Sequence, residues 1–113
     1  MFEQLERHIR KYIDIDEQEL ALIKRRLVPK KIRKRQFLLQ AGDICDRIAF
    51  VEKGSLYSYS IDDKGTVHVV QFAFEGWWLA DLYSFFTNEP SKLYIEALED
   101  SELLLMSVHE QEE

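Results

Sequence analysis

The sequence predicts a mainly β protein, an antiparallel sandwich or jelly roll of the double-stranded β-helix type, with helical additions at its start and middle. Three observations carry this. Apolar residues alternate with period two from Lys31 onward, turn residues recur at short intervals, and helical spacing is confined to the first 28 residues and a patch at Leu82–Phe86. With 113 residues the chain makes one domain, 1–113, read as a helical lid over 1–28 and a β unit over 31–107.

Taken in order, Phe2, Leu5, Ile9, Tyr12 and Ile13 fall near helical spacing and predict a first amphipathic helix over 2–13. Asp16 followed by Glu19 forms the Asp version of a capping box, so a second helix starts at Glu17 and runs to about Leu27. Leu20, Ile23 and Leu27 share its apolar stripe, and Pro29 stops it. Lys31–Gln40 then reads as a first strand with Phe37 and Leu39 on one face, and Ala41-Gly42-Asp43 as a turn.

Arg47–Lys53 is a second strand, which Gly54 turns into a third, Ser55–Ile61. In that strand Tyr57, Tyr59 and Ile61 alternate with Ser58 and Ser60, the pattern of a half-buried strand. Asp62-Asp63-Lys64-Gly65 fits a type I turn into Thr66–Phe74, with His68, Val70, Phe72 and Phe74 on one face. Leu93–Leu98 and Ser101–Ser107 read as a last hairpin through Glu99-Asp100. The start of a further helix at Val108 and an acidic tail at Glu110–Glu113 follow.

Between these hairpins, Phe74–Ala97 breaks the alternation. Gly76 precedes the apolar run Trp77-Trp78-Leu79-Ala80, Asp81 precedes a short helical patch, and Asn88 and Pro90 end that patch. A short helix behind a glycine suits either an anion cradle or a core plug with its connecting loop. Of the adjacent Trp77 and Trp78, one is expected to pack inward and the other to stay near the surface or an interface.

Composition narrows the class. A hydrophobic content of 46% with 32% charged residues is that of a soluble globular chain. The single cysteine, Cys45, excludes an intramolecular disulfide framework and fits a reducing compartment. Its acidic neighbours Asp43 and Asp46 raise its thiol pKa and argue against a nucleophilic role. The charged start MFEQLERHIRKY is not a signal peptide, and no apolar run approaches the ~20 residues that span a bilayer, so the expected location is cytoplasmic, with no membrane partner.

The net charge of −6 is unevenly spread: residues 1–36 carry 11 Lys/Arg against 6 Asp/Glu, and residues 37–113 carry 4 against 15. The densest basic run, Lys24–Arg35, straddles Pro29 and lacks interleaved aromatics, which favours a solvated face over a nucleic-acid footprint. His8, His68 and His109 lie on different elements, which excludes the multi-histidine metal centre of a jelly-roll enzyme. A structural role with one hydrogen bond is expected for His68. Walker-type phosphate loop, nucleophile elbow and cysteine-pair zinc motif are all missing, so neither an enzyme nor a cofactor is expected.

The run Ala41–Gly54 resembles the cyclic nucleotide-binding domains of the Crp/Fnr bacterial regulators. Gly42 with Asp43, then Asp46 three positions on, an apolar strand and Gly54 follow that family's pattern, and the DDKG turn fits it further. The likeness extends from about Glu17 to Val108. It implies a β-roll sensor domain that is normally followed by a dimerisation helix and a helix-turn-helix DNA-binding domain, the latter expected to be absent from this chain. A full-length protein would then be a homodimer that touches DNA through that further domain.

The resemblance also makes the irregular stretch a phosphate-binding cassette. In the family a Gly-Glu-Leu motif is followed about ten residues later by Arg and then Ser or Thr, the arginine gripping the cyclic phosphate and the glutamate the ribose hydroxyl. Here Ala80-Asp81-Leu82 and Ser91-Lys92 occupy those places, so these five are the candidate ligand residues. Serine cannot replace a guanidinium fork, and losing such a pair costs about 2–5 kcal/mol, a factor of roughly 30 to several thousand in affinity. Lys92, adjacent on the strand, should face the side opposite Ser91. The expected function is an effector-sensing domain degenerate for cyclic AMP. Its effector is an unidentified small molecule, nucleotides included; the competing reading is a stand-alone protein-interaction module with no ligand.

Overall fold

The computed structural model describes residues 2–107. The expected acidic tail and the expected helix start at Val108 lie outside them. Two helices, α1 (Glu3–Tyr12) and α2 (Glu17–Arg25), precede the strands β1 (Val28–Ile32), β2 (Phe37–Leu39), β3 (Arg47–Lys53), β4 (Leu56–Ile61), β5 (Val67–Ala73) and β6 (Trp78–Leu79). A short helix α3 (Leu82–Thr87) leads to β7 (Tyr94–Ala97) and β8 (Ser101–Ser107). The strands form two antiparallel four-stranded sheets, β1-β8-β3-β6 and β2-β7-β4-β5, which is the predicted jelly-roll class.

The predicted first strand, Lys31–Gln40, is two strands in different sheets. Strand pairing begins earlier, at Val28, and breaks at Arg33–Arg35, where Arg35 takes a φ of +73° and Gln36 N–H donates to the Arg33 carbonyl. The predicted hairpins at Gly54 and at Glu99-Asp100 are corners instead: β3 and β8 pair in one sheet, while β4 and β7 pair in the other. Strand sequence alone cannot distinguish a tight turn within a sheet from a tight step between sheets, because both need the same turn residues.

The hairpin through Asp62–Gly65 forms as predicted. Gly65 N–H donates to the Asp62 carbonyl, and the Asp62 carboxylate accepts from Lys64 and Thr66 N–H, both at 2.9 Å. A bulge between Ser58 and Tyr59 sets Ser58 against Gln71 and Tyr59 against Val69. The single face expected for His68, Val70, Phe72 and Phe74 is therefore broken at Val70, which has no opposite residue. His68 projects into solvent with one partner, Asp62 Oδ2 at 2.9 Å.

Between the sheets lie Ile32, Leu39, Ala49, Val51, Leu56, Leu79, Ile95, Leu103 and Leu105, with the Cys45 side chain. Strands β3 and β8 are buried on both faces, which explains their unbroken apolar runs. Their other parity, Phe50 and Leu104, packs against Leu5, Ile9, Leu20 and Leu27 from the helical start of the chain. The capping box forms, with Asp16 Oδ1 accepting from Glu19 N–H at 2.8 Å. No side chain at Phe2 caps α1; the buried Glu52 carboxylate of β3 does so instead, accepting from Gln4 N–H at 2.5 Å and Leu5 N–H at 3.0 Å.

On β4 it is the serine parity that turns inward, with Ser58 only 2% exposed. The tyrosines join a run of rings on the outside of the sheet, from Phe37 through Tyr94, Tyr59, Tyr57 and Phe72 to Phe74 and Trp77, successive centroids 4.9–6.4 Å apart. Trp77 and Trp78 do point apart, Trp77 to Phe74 and Trp78 edge-on to Phe50 at 4.9 Å, but neither is enclosed.

Candidate functional site

The cassette stretch, 74–97, opens ahead of β6. Gly76, with φ +87°, turns the chain so that its N–H donates to the Val51 carbonyl, and β6 then separates this glycine from α3. The helix has only six residues, and its start is occupied by the protein itself: Asp81 is the N-cap and accepts from Ser84 N–H at 3.2 Å. Asn88, in the left-handed conformation at φ +60°, closes the helix as its composition suggested.

Ser84 holds the helix to the roll. Fully buried, its hydroxyl donates to the Glu89 carbonyl at 2.5 Å and accepts from Cys45 N–H at 2.8 Å. Cys45 is 5% exposed, its thiol donates to the Arg47 carbonyl at 3.3 Å, and its pKa is raised as expected, but by burial first and by Asp81 and Asp46 only after it.

Asp81 and Ser91 meet. Ser91 Oγ donates to Asp81 Oδ2 at 2.5 Å and accepts from Leu93 N–H at 3.0 Å. The Ser91 backbone is tied to the Gly42-Asp43 turn, donating to the Asp43 carbonyl at 2.7 Å and accepting from Gly42 N–H at 2.8 Å. Ser91 is thus 4% exposed, every polar atom engaged. Ala80 is half-buried and packs against the inter-sheet core, while Leu82, 54% exposed, points away.

Ser91 and Lys92 precede β7 instead of lying on a strand, yet Lys92 is exposed and lines an open groove of about 490 Å³ with Asp81, Tyr83, Glu89, Pro90 and Leu93. No arginine lines this groove among the described residues. Tyr83 and Glu89 were not legible as site residues, because their contact forms only when Asn88 reverses the chain. There Tyr83 Oη donates to Glu89 Oε2 at 2.7 Å, and the carboxylate's demand for that proton raises the phenol's pKa. The groove carries two carboxylates against one ammonium.

The profile of the cyclic nucleotide-binding domain matches residues 29–112. No curated protein matches the chain. Among solved structures, the regulatory domain of Toxoplasma gondii PKA with cAMP shares the fold at a TM-score of 0.78 and 23% identity, over 97% of this chain and 42% of that one. Thermus thermophilus catabolite activator protein aligns at 0.77 and 15%, over 88% and 46%. The N-terminal domain of a transcriptional regulator from Streptomyces coelicolor A3(2) aligns at 0.75 and 19%, over 85% and 68%. The chain spans less than half the length of the first two. With the profile covering most of its length and the two-sheet roll in place, this chain belongs to the cyclic nucleotide-binding domain family.

Proposed function

We propose that the chain is the effector-sensing domain of a Crp/Fnr-like bacterial transcriptional regulator whose cassette no longer grips cyclic AMP. The observation that carries this reading is the closure of Ser91 onto Asp81. The two positions that would hold phosphate and ribose satisfy each other, and the groove outside them presents Asp81 and Glu89 to any incoming phosphate. This reading puts the protein in the cytoplasm, as a binding unit rather than an enzyme, without a cofactor. DNA contact and homodimerisation would come from segments beyond these 113 residues. Signalling would be a population shift, an effector favouring one arrangement of α3 and of the segment after β8.

Titration calorimetry of the chain with cyclic AMP tests this. The expected result is an affinity at least ~30-fold below that of a Ser91→Arg, Asp81→Glu double variant. Low-micromolar binding by the unaltered chain would sink the reading. The ring stack outside β2-β7-β4-β5, with Phe72, Phe74 and Trp77 each over 40% exposed, favours a second reading, a stand-alone protein-interaction module without a ligand. A helix-turn-helix in the downstream reading frame decides for the regulator.

A further inference from the structure

At the end of the roll where β1 and β2 part, the sheets enclose a second cavity, of about 320 Å³. It opens there because these consecutive strands never pair: β1 bonds to β8 and β2 to β7, so no ladder closes the seam between them. Its floor is Leu39, Leu79, Ile95 and Leu105, all 8% exposed or less. Ile44, 43% exposed, stands with Lys30 at the lining's solvent side. Asp81, Ser91 and Lys92 take no part in it, so it is separate from the cassette groove.

Protein interiors leave few voids larger than a water molecule, and this one joins an apolar floor to a rim carrying Lys30, Asp43, Asp46 and Arg47, which suits an occupant with an apolar body and a polar head. A space of this size falls at the lower end of ligand pockets. The charged groups around it say what head group the occupant carries. Asp46 lies 3.6 Å from Arg47, and the Asp43 carboxylate accepts from Gln40 N–H at 3.3 Å. Lys30 has no carboxylate partner among the described residues, so its ammonium can meet an anion, while the negative charge of Asp43 would repel one placed on its own side of the opening.

We propose that this cavity is a binding site for a small monocarboxylate with a compact apolar body of about six to ten carbons. The body packs on Leu39, Leu79, Ile95 and Leu105, and the carboxylate meets Lys30 at the opening. Affinity comes from the buried body, because an exposed ion pair adds little. Lys30 selects the acid over its neutral analogue. The inference does not depend on whether the cassette holds a nucleotide.

Amide NMR of the 113-residue chain, titrated with octanoate, phenylacetate and the neutral 1-octanol, tests it. At least one acid is expected to give saturable shifts centred on Ile44, Cys45, Leu79 and Ile95. Ile44→Trp, at a half-exposed position that leaves the core untouched, should plug the opening and weaken binding about tenfold or more. Lys30→Ala should weaken octanoate several-fold while leaving 1-octanol within about twofold. Absence of saturable shifts with both acids at millimolar concentration would overturn the proposal. So would saturable binding that ignores Ile44→Trp, or shifts centred on Tyr83 and Lys92 of the cassette.

Discussion

Ser91 and Asp81, ten positions apart within the cassette, are joined by a 2.5 Å hydrogen bond from the serine hydroxyl to the aspartate Oδ2. The other polar sites of the pair are also engaged: Asp81 Oδ1 caps α3 through Ser84 N–H, and Ser91 Oγ receives Leu93 N–H. An arginine at position 91 would need an anion to satisfy its fork, whereas this pair closes the loop without one. The closure fixes the separation of positions 81 and 91, while the Ser91 backbone holds the register against Gly42 and Asp43.

The first prediction follows from that bond. Ser91→Ala removes Asp81's donor and leaves the part-buried N–H of Leu93 without its acceptor, the deleted hydroxyl belonging to a residue only 4% exposed. The expected loss is about 1–3 kcal/mol of stability, the desolvation cost of unsatisfied buried groups. Urea denaturation measures it. An unchanged midpoint would mean that water replaces the hydroxyl.

What the sequence made legible was local. The Asp16–Glu19 box, the Asp62–Gly65 turn and the Asn88 stop each depend on residues within four positions of one another, and all three formed where read. Partner choice was not local. Gly54 and Glu99-Asp100 looked like hairpin turns because the residues that allow a reversal also allow a corner between sheets. The family spacing singled out Asp81 and Ser91 as candidates, but it did not indicate their mutual bond, since serine where the family has arginine implies only a loss. Glu52 gave no signal at all: its partners lie 47 and 48 residues away, and a glutamate near a strand's end ordinarily faces water.

Glu52 supplies the second prediction. Its carboxylate is 6% exposed and carries the first turn of α1, so Glu52→Ala should cost about 1–3 kcal/mol and speed hydrogen exchange at Gln4 and Leu5. Burial raises this carboxyl's pKa despite the two N–H donors, which lower it. A raised folded value means that the linked stability is full below the ordinary glutamate pKa and declines as pH rises through the folded value. The stability of the wild-type chain relative to Glu52→Gln should therefore fall as pH rises above about 4, the ordinary glutamate value. Urea midpoints of both proteins across that range give the answer; a difference that grows with pH would reverse the assignment.

Tyr59 gives the same sign at the alkaline end. Its ring sits between Tyr57 and Tyr94, and its hydroxyl donates to Glu96 Oε1 at 2.7 Å. Burial first, and then the bond to Glu96, push the phenol's pKa well above the usual tyrosine range. Its contribution is complete below about pH 10, where unfolded tyrosine titrates, and is lost as pH rises beyond that. Tyr59→Phe should cost about 0.5–1.5 kcal/mol at neutral pH and show a shallower alkaline decline than the wild type. Denaturation midpoints at pH 8 and pH 11 would test both parts.

The corner at Gly54 permits the sharpest comparison. Gly42 and Gly54 both have positive φ, +100° and +98°, so alanine strains either backbone by a similar amount, about 1–3 kcal/mol. Their surroundings differ. A Cβ at position 42 would meet nothing within 4 Å, whereas one at position 54 would lie 2.2 Å from Ser101 Oγ and 2.8 Å from the Ser101 Cα. Ser101 cannot simply swing aside, because its hydroxyl accepts from Ser55 N–H at 3.2 Å and donates to the Glu99 carbonyl at 2.8 Å, and its backbone pairs with Ile32. The two chain corners that carry the strands between sheets therefore press on each other at this glycine. Gly54→Ala should destabilise by at least about 1–2 kcal/mol more than Gly42→Ala, the difference being overpacking rather than strain. Equal urea midpoints for the two variants would show that the corners can separate without loss.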